Sequence, residues 1–287
     1  MSQLVPHAPL SPRDREALAR AVKRLENPSL ARHIAEWAGQ PLGRALFKAQ
    51  GPWKARFDKA AETAIMRCLD VAVKSLKPAK KPPMTRVASM IAGLSGGFGG
   101  ALGVAGLPIE LPVTTILMLR AIASIARHHG EDLSRLEARL ACVEVFALGA
   151  RASKNQTALG YYASRAVLAR LSNEAAAFFV ERGVASATAP TINRFVAEIA
   201  ARFGLVVSER AAASALPVIG ALGGAALNVV FMNYFQDIAL GHFAVRRLER
   251  LYGAGAVRLE YERLALKYSA QGGGSGDLAG SRSSANE

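Results

Sequence analysis

The sequence contains few cysteines and histidines, and this scarcity excludes several kinds of site. Only Cys68 and Cys142 occur among 287 residues, so neither a disulfide scaffold nor a four-thiolate zinc site can form. The five histidines show no HExxH motif and no other metal-ligand spacing. We therefore expect two buried, reduced thiols, no metal site, no cofactor site and no catalytic residue that sequence alone can name.

Aromatic residues are also scarce, at 7%, whereas the hydrophobic fraction of 51% is large enough to build a core.

Charge is uneven along the chain. Residues 1–86 hold 17 Lys/Arg and 7 Asp/Glu, a net charge of +10, and the remaining residues carry a net charge of +4. This balance favours an anionic partner, which is a lipid surface, a nucleic acid or an acidic protein.

The spacing of apolar residues predicts an all-α protein, a multi-helix bundle. No alternating segment of strand length occurs, whereas apolar residues recur every three or four positions. Ser11 with Asp14, and Ser134 with Glu137, are predicted to cap two of the helices. The predicted helices cover about residues 12–26, 30–38, 53–76, 112–129, 135–150, 158–181, 191–203 and 207–215, with one more ending at Tyr252 and a short last one ending near Tyr268.

Proline, glycine and charge divide the chain into three predicted parts. Residues 1–52 form a basic helical N-terminal arm, residues 53–269 a helical domain, and residues 270–287 a disordered tail. Three prolines and three lysines in residues 77–83 predict a hinge within the domain. The two prolines of Leu107–Pro112 predict a turn.

Two long runs lack any charged residue and are rich in glycine. Val87–Ile109 is 23 residues long with seven glycines, and Ala211–Gln236 is 26 residues long. Close glycine spacing lets helices approach each other, both in membranes and in soluble cores. Three interpretations stay open: a helical hairpin buried in a soluble core, segments that lie on or dip into a membrane, and helices that span it.

The motifs in and around these runs carry a resemblance to a known family. Residues 95–103 are Ser-Gly-Gly-Phe-Gly-Gly-Ala-Leu-Gly, and residues 107–112 are Leu-Pro-Ile-Glu-Leu-Pro. Residues 216–224 are Leu-Pro-Val-Ile-Gly-Ala-Leu-Gly-Gly, with Asn228 following. Over about residues 53–250 the chain resembles the EcsC protein family, except that Glu110 stands where the family commonly has aspartate.

The family is named for a gene beside those of an ABC exporter, so the resemblance implies a helical, membrane-linked protein. It assigns no reaction. It also selects candidate functional residues. These residues are Gly96, Gly97, Gly99, Gly100, Gly103, Pro108, Glu110, Pro112, Arg120, Pro217, Gly220, Gly224 and Asn228.

We therefore expect a non-enzymatic protein, peripheral at the cytoplasmic face of a membrane, that binds anionic lipid or a membrane partner such as an ABC transporter component. The first thirty residues are charged where a secretory signal is apolar, which favours the cytoplasm. One alternative is a soluble, hydrolase-like enzyme with a site near Glu110, Arg120 and Asn228, in which Arg120 pairs with Glu110 or Glu144. A nucleic-acid-binding protein is the other alternative, and it is disfavoured because the aromatic residues fall at core positions.

Overall fold

The regular structure of the chain is helical wherever the structure describes it. A computed structural model describes residues 9–26, 30, 34, 54–75, 107–150, 160–182, 189–214 and 224–273. No strand occurs in these ranges, which confirms the all-α prediction. The helices are α1 (Pro12–Leu25), α2 (Lys54–Ser75), α3 (Leu107–His128), α4 (Leu136–Leu148), α5 (Gly160–Arg182), α6 (Pro190–Ser214), α7 (Gly224–Tyr252) and α8 (Ala254–Gly273).

Helix α1 begins with the predicted cap. The Ser11 hydroxyl accepts the Asp14 N–H at 3.1 Å and donates to the Asp14 carboxylate at 2.8 Å. Its apolar stripe, which includes Leu18 and Val22, is fully buried against α7 and α8. The basic N-terminal helix therefore packs into the same core as the rest of the described chain.

The centre of the bundle is built by α2, α3, α4, α6 and α7, which pack against one another. Four phenylalanines fill the space between α4, α6 and α7, with ring centroids 5.2–6.2 Å apart. These are Phe146, Phe203, Phe231 and Phe235. Cys68 and Cys142 are free and fully buried, as predicted, and burial raises the pKa of both thiols.

The turn predicted at Leu107–Pro112 is wrong, because these residues form the beginning of α3. Pro108 stands in the first turn, where a backbone N–H has no partner within the helix, so its missing N–H costs nothing there. Pro112 removes a single bond to the turn before it. Both prolines are thus compatible with a helix that starts five residues earlier than predicted.

The break predicted after Phe203 is also wrong, since α6 runs unbroken from Pro190 to Ser214. Gly204 lies where α6 passes α2. A Cβ atom there would come within 3.1 Å of Asp58 Oδ1. The glycine therefore serves close helix packing rather than termination.

The cap predicted for α4 does not form. The Ser134 N–H and hydroxyl both donate to Asp132 Oδ1, at 2.9 and 2.7 Å. A carboxylate two residues upstream competes well for a serine side chain in a turn. Arg135 is therefore the N-cap residue of α4, and its side chain forms no capping hydrogen bond.

The ends of α3 and α7 are set by glycines with positive φ, Gly130 at 81° and Gly253 at 84°. Helix α8 then extends to Gly273, beyond the predicted end near Tyr268 and past the start of the predicted tail. Residues 274–287 lie outside the described residues, as do the predicted hinge at 77–83 and residues 87–106 of the first glycine-rich run.

The described part of the second run belongs to the protein core. Residues 224–236 begin α7, where Leu227, Phe231 and Phe235 are buried. This part of the run therefore packs against the other helices of the bundle. Within the described ranges, no helix combines the length and the apolarity needed to cross a bilayer.

Candidate functional site

The structure places the candidate residues unevenly. Pro108, Glu110, Pro112 and Arg120 lie on α3, while Gly224 and Asn228 lie at the start of α7. The rest of the candidate residues lie outside the described ranges. These are Gly96, Gly97, Gly99, Gly100, Gly103, Pro217 and Gly220.

Glu110 forms an ion pair with Arg210, a residue that sequence reasoning missed. Arg210 Nη2 lies 2.8 Å from Glu110 Oε1, and the two side chains are 2% and 11% exposed for Arg210 and Glu110. The guanidinium carbon of Arg210 lies 4.9 Å from the ring centroid of Phe231. The start of α3, the end of α6 and the start of α7 therefore meet at one end of the bundle, which we call the motif end.

The proposed grouping of Glu110, Arg120 and Asn228 does not form. Arg120 is exposed and ten residues along α3, about 15 Å from Glu110 along the helix axis. Glu144, the other suggested partner of Arg120, is buried on α4 and hydrogen-bonds with Ser172. Asn228 is fully buried in α7, one turn before Phe231. The separation along a rigid helix is the physical reason why Arg120 and Glu110 cannot share a site.

A cleft that the sequence did not predict lies at the opposite end of α7. Its volume is about 360 Å³. The cleft lies between the α3–α4 turn, the starts of α4 and α5, and the end of α7. We call it the arginine cleft. Its charged lining consists of four arginines and four carboxylates, which are Arg135, Arg165, Arg246, Arg250, Glu131, Asp132, Glu137 and Glu249.

Two carboxylates hold most of the arginines of the cleft in place. Arg165 donates hydrogen bonds from Nη1 and Nη2 to the two carboxylate oxygens of Glu249, at 2.7 and 2.6 Å. Arg246 donates to the two oxygens of Glu131 at 2.7 and 3.0 Å, and Arg250 also donates to Glu131. Such paired, bidentate contacts orient guanidinium groups firmly. Glu131 and Glu249 thus fix three arginines that come from α5 and α7.

The electrostatics of the cleft favour the charged forms of Glu131 and Arg246. Burial raises the pKa of Glu131, but the hydrogen bond and charge of Arg246 outweigh it and hold that pKa below its usual value. For Arg246, burial lowers the pKa, but its hydrogen bonds to Glu131 and the charge of that carboxylate raise the pKa more, so the net shift is upward. Both pKa shifts favour the charged forms of Glu131 and Arg246.

Beneath the cleft lies a buried polar layer. Tyr161 Oη and His242 Nδ1 are 3.0 Å apart, and His242 is fully buried. Burial lowers the pKa of His242 well below its usual value, and the charges of Arg165 and Arg246 lower it further. Burial also raises the pKa of Glu144 on the neighbouring helix. Both groups thus favour their uncharged forms.

A third feature is the outer surface formed by α1 and α8, which pack together and share the Arg15–Glu260 ion pair at 2.8 Å. Leu259 and Leu266 on α8 are 72% and 64% exposed, with the exposed Arg263 between them. Spacings of four and three residues place these three side chains on one line. We define the α1–α8 face as the exposed side chains of Arg13, Arg20, Lys23, Leu259, Arg263, Leu266 and Lys267.

No group of three or more histidine, cysteine or carboxylate side chains within the described ranges could hold a metal ion. A family model described as the EcsC protein family matches residues 20–248. The match begins within α1 and ends within α7, so it takes in more of the N-terminal part than the expected 53–250 and leaves out α8. No curated protein and no solved structure shows significant similarity to the chain.

Proposed function

We propose that this chain, which belongs to the EcsC protein family, binds the surface of an anionic membrane through its α1–α8 face. The observation that carries the proposal is the line of Leu259, Arg263 and Leu266, in which two large apolar side chains stand exposed on either side of a cation. In this function the bundle is peripheral, at the cytoplasmic face of a membrane.

The leucines supply the apolar part of the binding. Leu259 and Leu266 are seven residues apart, so their side chains stand about 10 Å apart along α8. Moving an exposed leucine from water into the acyl boundary contributes up to about 1.5–3 kcal/mol. A helix that lies in the interface buries such side chains to a shallow depth and keeps its polar side in water.

The cations supply the electrostatic part. Arg263 lies between the two leucines and Lys267 follows Leu266, and α1 adds Arg13, Arg20 and Lys23. Part of this charge is offset, because Arg20 forms an ion pair with Glu16 and Arg263 lies 3.7 Å from Glu260. Each Lys or Arg near an anionic lipid surface contributes about 1 kcal/mol. Long basic side chains reach the headgroups while the leucines enter the acyl region.

The same features argue against the two alternatives. A nucleic acid would be bound through its phosphates and would leave Leu259 and Leu266 without a role. The hydrolase-like interpretation needed Arg120 close to Glu110, and that grouping does not form. A lipid surface uses both the exposed leucines and the cations beside them.

The experiment is flotation of the full chain with vesicles of phosphatidylcholine, with or without phosphatidylglycerol. We expect R263Q/K267Q to bind the anionic vesicles roughly 30-fold more weakly, which corresponds to about 2 kcal/mol for two cations. We expect L259S/L266S to weaken binding by a comparable factor, since each leucine contributes up to about 1.5–3 kcal/mol.

Matched controls come from exposed positions on α5 and α6. V180S/L205S removes two exposed apolar side chains, and R182Q/R194Q removes two exposed cations. Both controls should bind as the natural sequence does. The proposal fails if the natural chain does not float with anionic vesicles, if the controls lose as much binding as the test variants, or if DNA competes the chain off vesicles at low salt.

A further inference from the structure

We propose that the arginine cleft binds the phosphate group of a small molecule or of a lipid headgroup. This inference is independent of the α1–α8 face, because none of the residues that define that face lines the cleft. It rests on the cavity, on the arrangement of its arginines and on the way its carboxylates are already used.

Three of the four carboxylates of the cleft, Glu131, Glu249 and Asp132, are engaged in hydrogen bonds, and Glu137 lies 3.7 Å from Arg135, whereas the donors of the arginines are not exhausted. Glu131 and Glu249 are only 5% and 11% exposed, and each accepts at least two arginine hydrogen bonds. Asp132 accepts from the Ser134 N–H and hydroxyl. A guanidinium group has five N–H donors, and two carboxylates cannot occupy all those of three arginines. The hydrogen-bonding capacity left for a ligand is therefore mainly donor capacity.

Two arginines stand at the rim, where a ligand would enter. Arg250 is 41% exposed, and it bridges Glu131 and the His129 carbonyl oxygen. Arg135 is 69% exposed, and its ion pair with Glu137 is long, at 3.7 Å. A contact of that length leaves most of the donors of Arg135 available for an anion. The rim thus offers two guanidinium groups from different helices, α4 and α7.

The start of α4 adds backbone N–H donors to those of the arginines, although Glu137 also lies in its first turn. Arg135 is its N-cap residue and provides no side-chain cap for the first-turn N–H groups. The N-terminus of a helix carries a partial positive charge and unpaired N–H donors. Arg135, Glu137 and Ala138 line the cleft, so the first turn of α4 borders the space in which the anion would lie.

Size and geometry favour phosphate over a simple carboxylate. A volume of about 360 Å³ is within the range of small-ligand sites and accommodates a phosphate ester. A phosphate group presents several oxygens in different directions, so it can bind guanidinium groups from more than one wall. Arg135, Arg246 and Arg250 supply such groups from both sides of the α3–α4 turn.

The test is isothermal titration calorimetry of the full chain with glycerol phosphate and with inorganic phosphate, against chloride at matched ionic strength. We expect saturable binding of a phosphate probe, weakened about tenfold by R135Q and again by R250Q, because each removes a charged hydrogen bond. R170Q is the matched control, since Arg170 is an exposed arginine on α5 that does not line the cleft.

A second arm distinguishes the source of the phosphate. Binding of soluble glycerol phosphate assigns a free ligand. If only vesicles of phosphatidylglycerol bind, and R135Q/R250Q weakens that binding while R170Q does not, the ligand is a headgroup. Absence of saturable phosphate binding in both arms, or equal binding by R135Q/R250Q and R170Q, overturns the proposal. L259S/L266S should leave glycerol phosphate binding unchanged, so failure of the membrane proposal is distinguishable from failure of this one.

Discussion

Replacing Glu110 by alanine is expected to lower the free energy of unfolding by about 3–5 kcal/mol, the largest stability effect among our predictions. The variant leaves Arg210, which is 2% exposed, without the carboxylate that lies 2.8 Å from it. A buried guanidinium group that loses a carboxylate partner retains the cost of leaving water and loses the attraction of that carboxylate. Urea unfolding followed by circular dichroism measures the change.

Glu174→Ala is the matched control for this prediction. Glu174 pairs with Arg170 on α5, where the two side chains are 41% and 82% exposed, and such pairs contribute at most about 1 kcal/mol. The double variant E110L/R210M should be more stable than E110A, because it removes both buried charges together. Equal losses for E110A and E174A would show that the motif end does not depend on this ion pair.

The second large expected effect is a dependence of stability on pH that arises from His242. Burial holds the pKa of His242 well below its ordinary value of 6.5, and the charges of Arg165 and Arg246 act in the same direction. As pH falls through 6.5, His242 becomes protonated in the unfolded chain but stays neutral in the folded chain. The contribution of His242 to the free energy of unfolding is therefore complete above pH 6.5. It is lost by about 1.4 kcal/mol per pH unit as pH falls towards the pKa of His242 in the folded chain.

Glu144 acts with the opposite sign. Burial raises its pKa above the ordinary 4.5, although the Ser172 hydrogen bond and the charges of Arg246 and Arg165 lower it in part. Above pH 4.5 the unfolded chain releases this proton while the folded chain keeps it, so stability falls as pH rises towards the folded pKa. The two groups therefore offset each other in the natural sequence, and single variants are needed to separate them.

Urea unfolding at a series of pH values separates the two contributions. H242Q should lose the decline in stability below pH 6.5, and E144Q should become more stable relative to the natural chain as pH rises. Tyr161→Phe is the control, since it removes the hydroxyl 3.0 Å from His242 Nδ1 without removing the imidazole. The free energy of unfolding that Y161F loses should be the same at every pH. If H242Q and Y161F show the same pH profile, His242 is not the source of the slope.

The sequence predicted most helices because their signals are local. The stripe of α1 and the cap at Ser11 need only neighbouring residues, and both are present. The errors occurred where tertiary contacts outweighed local signals. Gly204 lies within α6, where the close approach of α2 leaves little room for a Cβ atom. The Ser134 side chain donates a hydrogen bond to Asp132 instead of capping α4.

The site residues show the same limit more clearly. Glu110 was selected from the family motif, but its partner Arg210 is 100 residues away in the chain. The ion pairs that Glu131 and Glu249 form with arginines of α5 and α7 join residues that are 84 to 119 positions apart, such as Arg165 with Glu249 and Arg250 with Glu131. One local signal was available, since Arg246, Glu249 and Arg250 lie at spacings of three and four and share one face of α7. The α1–α8 face needed the fold, because only packing shows which leucines stay exposed.

The most direct test of membrane binding is a fluorophore placed on Leu266. Cys68 and Cys142 are fully buried, and burial raises the pKa of both thiols, so Leu266→Cys provides a single reactive thiol for a polarity-sensitive dye. Leu205→Cys, at an exposed position on α6, is the comparison. With vesicles that contain phosphatidylglycerol, the account predicts a blue shift for the dye at position 266 and none at position 205. No shift at 266, or an equal shift at both positions, would contradict it.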